Sequence, residues 1–540
     1  MTYIAYYFLI MLSLVGYGFF ASNILKIKII NLGFLGLIGV SFLIFISYLT
    51  TLFFAHGYTF NSLILILGIA CFFYNCKKIN KNEYYKLLII FTIFLIFILV
   101  AKNHDDFPAY HYPYSHLLTQ FSHPLGAGHL NPGFRHASST FFLSSLFYYP
   151  FIKHYLFNIY PVYFIGFANL ILYNYIIDKN IFNRFKSINI FSLLALSFIN
   201  IFFYRMAEHG TDRSGMVIIF LIIIIILLIN NFFLSKKDIN KITNYFKILS
   251  ILIVLTISLK PFYLLYAPLI AMVFIPQKNR LLFTNLIFTR TTLFSLSLFL
   301  LIFFFNWINS GCLIFPAEFT CFNNLPWSFS EKVIVDTNIW FELWSKAGAS
   351  PNYIVENRIQ YIENFNWLSN WFQNYFFNKV SDFLLGLLIL IIIFYLALFY
   401  NFKRNKVEKL NYYFIYFYIF VLIIEWFFKH PALRYGGYHL FALFLFLPLS
   451  KYFESIKINY SIFLKRSIYI LIITILIFSY RNLNRIIDEY KLYKYNPLES
   501  TNYVYDEKFY NRIFRYMDDT KNYFKYKKIL GKKFIITVAK

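Results

Sequence analysis

An all-α polytopic membrane protein of about 14 transmembrane helices is the fold the sequence predicts, by the spanning-length and positive-inside rules. Three observations lead there. Hydrophobic residues make up 59% of the 540 positions, more than a soluble chain of this length can bury. Charged residues make up only 14%, against roughly a quarter in soluble domains. Apolar runs of spanning length recur from end to end, among them Ile188–Tyr204, Met216–Leu234 and Phe383–Tyr400.

The elements follow from the punctuation between these runs. The opening MTYIAYYFLIMLSLVGYGFF lacks a basic n-region and reads as a first span rather than a cleaved signal peptide. Cationic loops mark the predicted cytoplasmic side: Lys26 and Lys28; Lys77, Lys78, Lys81 and Lys86; Lys236, Lys237, Lys241 and Lys247; Lys278, Arg280 and Arg290; Lys403, Arg404, Lys406 and Lys409; Lys451, Lys457, Lys465 and Arg466. This distribution explains the net charge of +26 and argues against nucleic acid as a partner, because the cations sit between spans and not on one face. Segments 102–154, 205–213, 308–381 and 429–435 then fall outside, as does the Lys-rich tail 481–540. Lys260-Pro261 breaks an apolar pair of runs, 246–259 and 262–276, since proline removes a backbone donor and kinks helices. The reading is either two short spans or a broken hairpin with its tip at the external surface. Neither GxGxxG nor a P-loop pattern is present.

The external segments hold the candidate chemistry. Asp105 and Asp106 follow a span directly, at a membrane boundary where ionisable groups are costly and a raised pKa would suit a general base. Six of the eleven histidines lie between His104 and His136. With the aspartates they could bind a divalent metal, although their spacing matches no closed zinc motif; hydrogen bonds from His104 and His111 to lipid phosphate, sugar or loop backbone are the stronger expectation. No other cofactor is expected. Arg135 ends a Gly- and Pro-rich stretch, and Ser138 or Ser139 caps a predicted interfacial amphipathic helix over 140–151. The segment YRMAEHGTDRSG adds Glu208 and Asp212, either pairing locally with Arg205 and Arg213 or completing a carboxylate pair with the first loop. FKHPALRYGGYH offers Arg434, suited to forked contact with phosphate, and Lys260 is a further phosphate candidate. Cys312 and Cys321 share the longest external loop, where an oxidising exterior favours a disulfide; Cys71 and Cys76 read as inert. Six of the seven tryptophans lie between 307 and 371 and read as interfacial anchors, with sugar stacking as the sharper alternative.

An aspartate pair in the first large external loop, an acidic motif in the next, and many spans resemble the GT-C superfamily of membrane glycosyltransferases. That group includes the protein O-mannosyltransferases and the lipid A aminoarabinose transferases. The segments NHDDFPAYHYP, EHGTDRSG, SGCLIFP with TCFNNLPWS, and HPALRYGG are also similar to a group of bacterial polytopic proteins of GT-C-like architecture. The resemblance implies a GT-C-like core over 87–480, preceded by a transmembrane extension over 1–86 and followed by the tail 481–540. It further implies a donor sugar on a polyprenyl phosphate and a glycan, lipid or protein acceptor. Asp105 or Asp106 would be the base, Glu208 or Asp212 the second acid, and Arg434 and Lys260 the phosphate contacts. The expected location is the cytoplasmic membrane, with the active side facing outward. An O-antigen-type polymerase or ligase, relying on Arg434 and Arg135, and a lipid or sugar transporter are the alternatives; Glu425, near the end of a span, is the residue a transporter would use.

Overall fold

The computed structural model describes residues 2–100, 104, 106–206, 208, 210–234, 239–274, 286, 288–349, 355–400, 402–403, 412–493, 524–529 and 532–537. The principal helices are α1 (Thr2–Leu25), α2 (Leu32–Thr51), α3 (Tyr58–Asn75), α4 (Lys81–Phe94), α5 (Tyr112–Gln120), α6 (Ser139–Ser145), α7 (Tyr160–Ile177) and α8 (Lys179–Phe202). They continue with α9 (Gly210–Leu234), α10 (Ile239–Leu259), α11 (Arg290–Ser310), α12 (Glu331–Lys346), α13 (Ser381–Phe399), α14 (Tyr413–Lys429), α15 (Gly437–Glu454) and α16 (Tyr460–Tyr493). One antiparallel hairpin, β1 (Phe524–Ile529) with β2 (Lys532–Thr537), follows the helices and pairs Phe524 with Thr537. Among the described residues, eleven helices are long and apolar enough to cross a membrane, making this a multi-pass membrane protein.

Composition decides which helix goes where. α9 carries FLIIIIILLI with no polar face, and every residue from Met216 to Ile229 is buried, so it forms an axis of the bundle. Helices α3, α13 and α16 leave leucines, isoleucines and aromatics exposed along one side, such as Leu63, Ile66, Leu388 and Leu476. In a membrane that side faces acyl chains rather than water. The first helices are integral to the core: the Tyr7 hydroxyl donates to the Phe91 carbonyl (2.9 Å) and the Tyr163 hydroxyl to the Tyr7 carbonyl (3.1 Å).

The bundle has two chemically different ends. At one, α1 finishes and α2, α10 and α11 begin. There the Lys28 amide donates to the Asn244 side chain (2.7 Å), Lys247 to the Lys26 carbonyl (2.8 Å) and Arg290 to the Ile24 carbonyl (3.2 Å). At the other end, α2, α10 and α11 finish and the long loops gather. The Gly126 amide donates to the Ile308 carbonyl (2.7 Å), Ala137 to the Asn306 side chain (3.0 Å) and His123 to the Thr51 carbonyl (2.7 Å).

The expected interfacial helix over 140–151 is different in the structure. Ser138 does cap it, accepting from the Thr140 amide, but the helix is only Ser139–Ser145 and all of its residues are buried. A short aromatic-rich segment has the same composition whether it floats at an interface or is enclosed by protein, and here protein encloses it. The Lys260-Pro261 break is real: Lys260 is extended (φ −154°, ψ 133°) between α10 and a 3-10 segment, Pro261–Val273.

Candidate functional site

Each part of the site is delivered by a local rule. Asp106 precedes a single wide turn, Phe107–His111, that leads into α5. Pro113 has no N–H, so a regular helix would strand the carbonyl four residues earlier. The Asn131 side chain answers that Ala109 carbonyl at 2.9 Å, tying the turn to the Gly-rich stretch. Asp212 sits in the first turn of α9, where the helix dipole favours a carboxylate. Lys260 occupies the extended break, and Tyr263 just beyond it lies against Gly215, where a Cβ would overlap its ring. The Tyr263 hydroxyl donates to the Asp212 carbonyl. Arg434 is held on a turn gripped by three aromatic residues. Trp371 donates to Pro431 O (2.9 Å), Trp426 donates to Ala432 O (2.9 Å), and the Tyr375 hydroxyl accepts from the Leu433 amide (2.8 Å). Gly436 closes the turn at φ 118°, a conformation that a side chain would strain.

These elements bring four charged groups together. Lys260 Nζ is paired with Asp212 Oδ1. Arg434 Nε donates to Asp212 Oδ2 (3.2 Å), and its Nη2 donates to Asp106 Oδ2 (3.4 Å). The guanidinium therefore bridges carboxylates that lie 328 and 222 residues away along the chain. It also lies over the Trp344 ring (5.4 Å) and the Tyr435 ring (5.9 Å), and Lys260 Nζ is 5.7 Å from the latter. Asp212 is buried, whereas Arg434 and Asp106 each keep 31% of their side-chain surface. The cluster is thus anchored on its inner side and open on its outer side.

Asp106 is further engaged by His104. The ring Nδ1 lies 3.1 Å from the Asp106 amide and 3.2 Å from Oδ2. A neutral ring with its lone pair on Nδ1 accepts from the amide, and a protonated ring donates to the carboxylate instead. Burial pushes the Asp106 carboxyl up, but the hydrogen bond and charge of His104 and the charge of Arg434 outweigh it and hold the carboxyl well below its usual range. The raised pKa expected from sequence is therefore corrected: the cations beside Asp106 win over burial. Burial holds the imidazoles of His111 and His136 at about 4, hence neutral. His111 Nε2 is buried without a hydrogen-bond partner among the described residues. Burial also raises the Tyr110 phenol, which hydrogen-bonds to Asp106.

The remaining sequence candidates are placed elsewhere or differently. Asp105 lies outside the described residues. The Glu208 carboxylate is held by Arg205 on its own turn and by Arg485 on α16, which also reaches Glu489 (3.7 Å). Arg135 stacks over Phe329 (4.5 Å) and donates to Thr337 (3.2 Å), fastening the first loop to the segment after the disulfide. Cys312 and Cys321 are joined. His129 meets the Trp327 carbonyl at 2.9 Å and His123 the Tyr114 hydroxyl at 3.0 Å. Among the described residues no three His, Cys, Asp or Glu side chains gather to hold a metal ion. Tyr110, Tyr263 and Tyr435 were not foreseen as site residues; the signal available was their closeness to Asp106, Lys260 and Arg434 within the motifs themselves. Trp344, one of the tryptophans offered for sugar stacking, lies against the Arg434 guanidinium.

The chain belongs to the DUF8201 family, a domain of unknown function whose match runs over residues 1–442. No curated protein and no solved structure matches it.

Proposed function

We propose that this protein is a GT-C-like membrane glycosyltransferase that moves a sugar from a polyprenyl-phosphate donor to a glycan, lipid or protein acceptor at the outer face of the cytoplasmic membrane. One observation carries the reading: Arg434 bridges Asp106 and Asp212, with Lys260 alongside, at the end of the bundle opposite the lysine-rich loops. A forked cation and an ammonium suit a phosphate, and a half-exposed carboxylate beside them suits proton removal from a hydroxyl. Two features favour an outward orientation for this end. Among the described residues, Lys26, Lys28, Lys247 and Arg290 meet at the other end, in keeping with the positive-inside rule. The loop that carries the Cys312–Cys321 disulfide is fastened to the first loop by Arg135 and His129, and disulfides persist in oxidising compartments. If α14, α15 and the 3-10 segment also cross, the eleven long helices become the fourteen passes of this reading.

In this reading Asp106 takes the acceptor proton, Arg434 and Lys260 hold the donor phosphate, and Asp212 positions both cations. Glu208 stabilises the loop that leads to Asp212. The aromatic surface of Trp344 and Tyr435 is the natural place for a sugar ring. The test is transfer in proteoliposomes supplied with a panel of polyprenyl-phosphate sugars. Asp106→Asn and Asp212→Asn should each abolish transfer, and Arg434→Gln should sharply reduce it, with all three remaining inserted. Full transfer by all three would remove the catalytic assignment.

A further inference from the structure

The two carboxylates of the cluster are not equivalent. Asp212 is buried and doubly held: Lys260 takes Oδ1 and Arg434 takes Oδ2. Asp106 is partly exposed and shares a single oxygen, Oδ2, between Arg434 and His104. Its Arg434 contact, at 3.4 Å, is the loosest ion pair in the cluster. The four groups also balance: two cations from Arg434 and Lys260 meet two anions from Asp106 and Asp212. A phosphate entering from the exposed side meets Arg434 beside Asp106. It competes with that weak contact first, and Asp212 keeps Lys260 whatever the arginine does.

We propose that a phosphate group entering this cluster takes Arg434 away from Asp106, and that only the carboxylate so released is a competent proton acceptor. The proposal rests on the transferase reading above and adds to it a gate: the base is silenced by the same arginine that the donor must recruit. In the transfer step the acceptor oxygen forms a bond to the sugar's anomeric carbon, and the bond from that carbon to the phosphate oxygen breaks. The leaving electron pair stays on the polyprenyl phosphate, and the acceptor's proton goes to Asp106. With Arg434 engaged by phosphate, the groups still facing Asp106 are His104, His111 and Tyr110. His104 still lowers the released carboxyl, but burial, which favours the protonated form, is then opposed by one cation fewer. Acceptor activation in the absence of donor is thereby suppressed.

The experiment is carbodiimide labelling of carboxyl groups in the purified full chain at about pH 5.5, read by peptide mass spectrometry, because the reagent attacks the protonated acid and the protonated fraction rises about tenfold for each unit of pKa increase. Two ligands are compared, farnesyl phosphate and inorganic phosphate, with their binding measured in parallel by calorimetry. Asp106 labelling should rise about tenfold or more at saturation, while Asp212 stays silent. In Arg434→Gln, or in Arg434→Lys should the first variant fold poorly, Asp106 should label strongly without ligand and respond little to it. A rise with farnesyl phosphate alone identifies a lipid headgroup as the trigger, and a rise with both identifies phosphate itself; each supports the gate. Saturable binding with unchanged Asp106 labelling overturns the gate and leaves the transferase reading standing. No binding of either ligand, with unchanged labelling, overturns both.

Discussion

Arg434 is the residue whose removal separates the electrostatic account from a merely structural one. In the resting protein it makes two charged hydrogen bonds, at 3.2 and 3.4 Å, both at the long end of the normal range, from a side chain that is a third exposed. A net value near the lower limit for charge-assisted bonds applies, so Arg434→Gln costs about 1–2 kcal/mol of stability in total. Its stacking over Trp344 adds about 0.5–1 kcal/mol. Lys260 remains on Asp212, so no buried carboxylate is stranded and the fold survives. The donor phosphate, by contrast, loses a forked contact worth about 2–3 kcal/mol, which is a fall of about 30- to 150-fold in kcat/KM for the donor. Arg434→Lys keeps the charge but loses the fork, and should fall in between. The assay is donor-dependent transfer in proteoliposomes, with KM and kcat resolved, beside thermal unfolding of the same preparations. No fall in kcat/KM for the donor in either variant would refute the assignment of Arg434 to the phosphate.

Three further outcomes follow from the geometry. Cys312→Ser should lose about 2.5–3 kcal/mol, the chain-entropy value for a ring this small, seen as a lower unfolding midpoint that reductant no longer changes, whereas reductant lowers the wild-type midpoint. The Asp106 carboxyl is held below its unfolded value by His104 and Arg434, so its contribution to stability is fully present above about pH 4–5 and is lost as acidity increases toward the depressed folded value; Asp106→Asn should flatten that acid limb in midpoints measured from neutral pH downward. Arg485→Ala removes one of the two arginines that hold the buried Glu208 and should cost about 2–3 kcal/mol, and Glu208→Gln in that background should restore part of it, with donor KM unchanged throughout.

Much of the architecture is legible in the sequence because spanning length and loop charge are local signals. The Ile-rich run of α9 and the lysine pairs between spans each announce themselves within about twenty residues. The motifs around Asp106, Asp212, Lys260 and Arg434 are local too, and the bundle brings these four together. Their pairing is not local. Nothing near Glu208 announces Arg485, which arrives on α16 after another 277 residues, so Glu208 and Asp212 look interchangeable in sequence although one is clamped by arginines and the other faces Lys260. Part of the Asp106 shift is hidden for the same reason: burial follows from a span boundary and His104 is only two residues away, but the guanidinium that adds to the lowering comes from 328 residues away.

The 3-10 winding of Pro261–Val273 changes how far that stretch of chain reaches. Thirteen residues of α-helix would cover about 20 Å, but the tighter coil rises about 2.0 Å per residue and covers about 26 Å, close to the roughly 30 Å of a hydrocarbon layer. Phe274, at its far terminus, meets Phe246 in the first half of α10 (5.4 Å between rings). A segment too brief to span as an α-helix thereby carries the backbone back toward the side from which α11 departs, and Lys260 is left at the turning point.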